Sequence, residues 1–169
     1  MNGVAILVSL TLLMLSSCAL PKGDADRLLR AQVVDAETGQ PLQGVVVLAY
    51  WIKYGASFGG WAGGGFYDSE EVVTGPDGRY AIRPRFSYIL PGVSKVSAEI
   101  VIFKPGYGRW EYRSAKGEEF VIELPPLKTR DKRLKFYDSL RRSGRVPPER
   151  TQRLDEAVKM ERAYLGFRN

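Results

Sequence analysis

The chain has 169 residues, with 25 Lys and Arg against 19 Asp and Glu, a formal net charge of +6, one cysteine and no histidine. Without histidine the commonest general base and the commonest biological metal ligand are both missing, so Ser-His-Asp and Cys-His catalysis and histidine-based zinc sites are excluded. The lone Cys18 can form neither an internal disulfide nor a multi-cysteine metal site. A hydrophobic fraction of 44% and a charged fraction of 26% suit a folded globular chain. The charge is uneven: residues 1–127 hold 12 basic and 13 acidic side chains, and residues 128–169 hold 13 and 6, which marks a second structural unit.

In chain order the first feature is the apolar run from Val4 to Ala19, containing Leu15-Ser16-Ser17-Cys18. Its Val4–Leu15 part, 12 residues, is too short to span ~30 Å of hydrocarbon and has the length of a signal-peptide h-region. The small pair before the cysteine resembles the lipobox of bacterial lipoproteins, although Met1-Asn2-Gly3 carries no Lys or Arg. The resemblance implies removal of residues 1–17, lipid on Cys18 and a membrane-held polar tether over 18–27. Ala19, where an Asp would favour the inner membrane, favours by the same resemblance the outer membrane of a Gram-negative envelope. The remaining 152 residues suffice for one domain and an appendage.

The alternation of residues 28–35 predicts a strand, and Asp35-Ala36-Glu37-Thr38-Gly39-Gln40-Pro41-Leu42 supplies turn chemistry. Further strands are expected at Val45–Ile52, Tyr67–Thr74, Arg79–Arg83, Val96–Phe103 and Phe120–Leu124, the last two separated by Lys104-Pro105-Gly106-Tyr107 and the Arg109–Arg113 segment. Gly55–Phe66, with six glycines interleaved with rings, reads as a loop, Gly75-Pro76-Asp77-Gly78 as a tight turn, and Pro84–Ser94 as irregular. Short strands at roughly ten-residue spacing argue for a β-sandwich of about seven strands.

Asp35, Thr38, Gly39, Pro41, Leu42, Gly44, Val45 and Val47, followed by Thr74, Gly78 and Tyr80 and then by Gly106 and Tyr107, make a pattern over residues 28–127. It resembles the carboxypeptidase regulatory-like domain, a small sandwich related to the transthyretin fold. The resemblance implies a transthyretin/immunoglobulin-like architecture, a folding or interaction role without zinc or catalysis, and structural duties for the motif residues.

The remaining 128–169 reads as a basic helical hairpin. Thr129 suits an N-cap, Leu134, Tyr137 and Leu140 share a face, and Ser143-Gly144 ends the first helix. Pro147-Pro148-Glu149 starts a second, whose stripe is Leu154, Ala157, Val158 and Leu165. Strand 45–52 is apolar on both faces (Val45, Val47, Ala49, Trp51 and Val46, Leu48, Tyr50, Ile52), as is 100–103. A bare second face would exceed the apolar patch soluble domains carry. The helices are therefore expected to cover it with Leu134, Tyr137, Leu140, Leu154, Val158 and Leu165.

Three groups could carry function. Tyr54, Phe58, Trp61, Phe66 and Tyr67, with Trp51 nearby, concentrate flat apolar surface suited to sugar rings or partner side chains. Asp68, Glu70, Glu71 and Asp77 match no calcium loop and read as a solvated surface. The basic tail (Lys128, Arg130, Lys132, Arg133, Lys135, Arg141, Arg142, Arg145) reads as a solvated helix face with anionic lipid as the next choice. The expectation is a non-catalytic envelope lipoprotein, with no cofactor, metal or nucleic acid. Its partners are the membrane through Cys18 and an envelope protein or glycan. The alternatives are a carbohydrate- or peptidoglycan-binding module using residues 55–67 and, more weakly, a carboxylate hydrolase.

Overall fold

The computed structural model describes residues 29–85, 93–113, 120–139 and 145–167. Cys18, the tether through residue 27, and Leu140 to Gly144 lie outside the described residues. Seven strands are described: β1 (Arg30–Asp35), β2 (Val46–Ser57), β3 (Gly60–Val73), β4 (Arg79–Ala81), β5 (Ser94–Phe103), β6 (Glu111–Arg113) and β7 (Phe120–Leu124). Helix α1 (Arg130–Ser139), a 3₁₀ turn (Pro148–Arg150) and helix α2 (Gln152–Leu165) follow. The fold is mainly β, with two sheets and two helices.

The sheets have the strand orders β4-β1-β7-β6 and β3-β2-β5. In the first, β1 runs antiparallel to β4 and parallel to β7. In the second, β2 lies between antiparallel neighbours. One apolar cluster joins Ala31, Val33, Tyr80, Ile122 and Leu124 of the first sheet to Val47, Ala49, Trp51 and Ile102 of the second. The alternation of those residues is what lets each strand give one face to this shared core.

The opposite face of β2 is covered as its double apolarity requires. Val46 and Phe103 pack with Ala157 and Val158, flanked by Phe136, Tyr137 and Leu154. Leu48, Tyr50 and Ile52 pack with Val146, flanked by Tyr54, Phe66, Val101 and Leu154. The expected contacts of Tyr137, Leu154 and Val158 are therefore present. Leu134 is half-buried outside these clusters, and Leu165 is buried without joining them. Phe136 does what was expected of Leu134: its ring stacks on Phe103 at 6.4 Å between centroids.

Thr129 accepts the Lys132 N–H through its hydroxyl at 3.3 Å, as an N-cap should. Pro148 opens the 3₁₀ turn rather than α2 itself, which begins at Gln152. At the end of α2, Gly166 takes a left-handed conformation (φ +83°), and Phe167 donates its N–H to the Arg162 carbonyl.

The expected loop at Gly55–Phe66 is a correction. β2 continues to Ser57 and β3 begins at Gly60, so the segment is a long antiparallel ribbon closed by the two-residue turn Phe58-Gly59. Its glycines read as loop residues, but Gly59 lies in the turn, Gly64 is a bulge, and Gly55, Gly60, Gly63 and Gly65 pair within the ladder. The register slips between Trp51 and Ile52 and between Lys53 and Tyr54, which leaves Tyr67 and Gly64 without ladder partners. Gly63 (φ +82°) and Gly64 (φ +132°) take up the second irregularity in a region that side chains avoid.

Candidate functional site

The ribbon divides the five candidate rings. Tyr54 and Phe66 fold onto the outer cluster beside Ile52 and Val146. A Cβ on Gly64 would lie 3.1 Å from Tyr54 Cε1 and 3.5 Å from Ile52 Cγ2, so a glycine lets that ring lie flat against the ladder. Trp51 is buried in the shared core, with the Arg85 guanidinium 5.3 Å from its ring centre. Phe58 (115% exposed), Trp61 (48%) and Tyr67 (41%) face solvent. The ribbon thus keeps two candidates for packing and offers three as surface.

The exposed part carries no charge. From Tyr54 to Tyr67 there is no Asp, Glu, Lys, Arg, Asn or Gln. Ser57 is the one side chain there that is polar without a ring, and its hydroxyl donates to the Gly60 carbonyl at 2.8 Å. Two cations sit at the base: Lys53 on β2, and Lys95 on β5 opposite Tyr54.

Asp68, Glu70, Glu71 and Asp77 were expected to form a solvated surface; Asp77 is exposed, but the three acids of β3 are half-buried and engaged, which corrects that reading for them. Arg85 donates to Asp68 through Nε at 2.7 Å and to Glu70 through Nη2 at 2.9 Å. Burial pushes the Asp68 carboxyl up, but the hydrogen bond and charge of Arg85 outweigh it and hold the group below its ordinary value. Glu71, on the other face of β3, accepts the Arg153 and Leu154 N–H groups at 3.0 Å each. It caps α2 from the sheet and sets a negative charge at that helix's positive end. Asp77 accepts the Arg79 N–H at 3.1 Å within its turn. Among the described residues no group of three or more Asp, Glu, His or Cys side chains is placed to hold a metal ion.

The motif residues converge at the far end of the sheets from the Phe58 turn and hold it closed. Asp35 accepts the Glu37 and Thr38 N–H groups at 2.8 and 2.9 Å and the Tyr107 hydroxyl at 3.0 Å. Thr74 donates to the Leu42 carbonyl at 2.6 Å and accepts the Val45 N–H at 3.0 Å. At Gly78 (φ +71°) a Cβ would collide with the Val33 carbonyl oxygen.

A buried ion pair escaped the sequence reading. Arg133, counted among solvated tail cations, donates through Nε to Glu161 Oε1 at 2.7 Å and through Nη2 to Oε2. Glu161 is 2% exposed and also accepts the Gly106 N–H at 2.9 Å, which ties α1, α2 and the β5–β6 connection together. The Arg133 guanidinium lies 3.4 Å from the Tyr164 ring centre. Nothing in the local pattern marks these partners, because 28 positions separate them.

No described helix is long and apolar enough to cross a membrane. The chain matches no family model, no curated protein and no solved structure.

Proposed function

We propose that the protein is a lipid-anchored component of the cell envelope, of the outer membrane by the Ala19 criterion, acting as a structural or interaction module without catalysis. Its two sheets form a transthyretin/immunoglobulin-like sandwich of the carboxypeptidase regulatory-like kind, with the helical hairpin as an added layer. One observation carries the reading. The polar side chains that the fold brings together (Asp35, Thr74, Tyr107, Asp68, Glu70, Glu71, Arg133 and Glu161) are all engaged in holding turns, helix ends and layers. What the described surface presents instead is an uncharged aromatic ribbon.

The Trp61 and Tyr67 rings also favour a second reading, a glycan-binding module. It ranks lower because sugar recognition adds planar polar side chains to an aromatic platform, and the ribbon between Lys53 and Asp68 has none.

The anchor is tested by mass spectrometry of membrane-extracted protein, which should show an acylated N-terminal Cys18 with residues 1–17 gone. An intact Met1 on that material overturns it. Crosslinking in native membranes should then recover envelope neighbours.

A further inference from the structure

We infer that the tip of the β2–β3 ribbon inserts into the lipid bilayer interface, with Phe58 as the embedded residue, Trp61 at headgroup level, and Lys53 and Lys95 against anionic headgroups.

The order of side chains along the ribbon is that of a membrane interface. Phe58 stands at the turn with its ring fully in solvent, three residues before Trp61. Exposing a Phe at the apex of a two-residue turn forfeits the free energy that burial of such a side chain contributes, and bilayer insertion recovers it. Trp is a residue of choice where hydrocarbon meets headgroups. Below the two rings the absence of charge from Tyr54 to Tyr67 removes any Born cost of immersion. The first cations down the ladder, Lys53 and Lys95, lie on adjacent strands, Lys95 opposite Tyr54. Lysine at that height reaches phosphate while its stem stays in the apolar zone. The ladder pairs the inward-facing backbone groups of the tip: Ser57 with Gly60, Ala56 with Trp61 and Gly55 with Ala62. β3 is an edge strand, so its outward-facing backbone groups need water, and the depth of insertion is set at the hydrated interface with only the Phe58 ring below it.

The chain also enters the fold at that end. The Ile82 N–H donates to the Leu29 carbonyl at 2.8 Å, and Leu29, Ile82 and Trp51 share one core. β1 runs from Arg30 to Asp35, and Asp35 stands at the end opposite the Phe58 turn, so Leu29 lies toward the ribbon, whose seven residues from Trp51 to Phe58 extend ~23 Å. The 11 residues from Cys18 to Leu29 reach at most ~40 Å when extended. A lipid on Cys18 would therefore hold the tip within reach of the same leaflet. This last step rests on the anchor proposed above, whereas the ribbon's own side chains do not.

The test uses the protein extracted from membranes and reconstituted into phosphatidylethanolamine–phosphatidylglycerol vesicles with brominated acyl chains. The share of tryptophan emission lost in Trp61→Phe should be quenched by the brominated chains and shielded from aqueous acrylamide. Phe58→Asp should abolish both effects at an unchanged melting temperature, since that ring stands in solvent. Vesicles without phosphatidylglycerol should weaken the quenching, and so should Lys53→Glu with Lys95→Glu. A Trp61 signal open to acrylamide and blind to brominated chains overturns the inference, as does protection by soluble peptidoglycan fragments but not by vesicles. The mass of the N-terminus reads the anchor separately, so failure of one does not pass for failure of the other.

Discussion

Glu161 brings a charge to a position that is 2% exposed, and Arg133 and the Gly106 N–H answer it. Breaking such a pair from one side leaves an uncompensated buried charge, which typically costs about 3–5 kcal/mol, whereas replacing both partners with apolar residues is far milder. Glu161→Ala should therefore lower stability by about that amount, and Arg133→Met with Glu161→Met should restore most of it in denaturant melts. Equal losses in the single and double variants would show that the pair contributes little beyond packing. Asp35 gives a pH dependence. Burial pushes its carboxyl up, but the Thr38 and Glu37 N–H groups and the Tyr107 hydroxyl outweigh that and lower it below its ordinary value. A folded-state pKa below the unfolded value adds stability above the usual carboxylate range near ~4, and that stability is lost as pH falls through the lowered value. Melting temperature should thus fall as acid protonates Asp35, and Asp35→Asn should reduce that slope while lowering the neutral-pH plateau.

At the level of elements, β3 and α2 are joined by a cap that crosses from sheet to helix. Thr151 precedes α2 but spends its hydroxyl on Asp155 and Pro148, while Glu71 receives the first helical N–H groups. Loss of a cap costs about 0.5–2 kcal/mol, so Glu71→Ala should lower the melting temperature and reduce helical circular dichroism, with Glu71→Gln intermediate. A variant indistinguishable from the native protein would assign the helix end to solvent. Elements with strong periodicity were legible in the sequence. Phe120–Leu124 is a strand as expected, and the two apolar faces of β2 announced a covering layer before any helix was placed. The ribbon was not legible, because glycine-rich composition predicts a loop while the three-dimensional ladder pairs four of the glycines and uses Gly64 as a bulge. Phe136 was passed over for Leu134, since on a short polar helix one residue's rotation decides the buried stripe. Glu71, Arg85 and Glu161 were illegible as partners because ion pairs between distant segments leave no local pattern.

On the scale of the molecule, the second sheet packs on both faces, inward on the first sheet and outward on the helices. Truncation after Leu127 would uncover Val46, Leu48, Tyr50, Ile52 and Phe103 together. Each buried side chain of this kind contributes ~1.5–3 kcal/mol, and the bared patch would be adhesive. The shortened protein should aggregate or melt at a much lower temperature. A monodisperse product with native melting in light scattering and calorimetry would show that the helices are an accessory to an independently stable pair of sheets.

The parallel pairing of β1 with β7 bears on how the chain reaches this state. Ala31 lies opposite Phe120, so the central ladder of the first sheet joins segments roughly 90 residues apart, a separation that makes closure slow. For a chain delivered N-terminus first, from a ribosome or through a membrane pore, β1 must wait for almost the whole domain before its second edge is occupied. Until then the first sheet has no centre, and the chain stays pliable enough to be threaded.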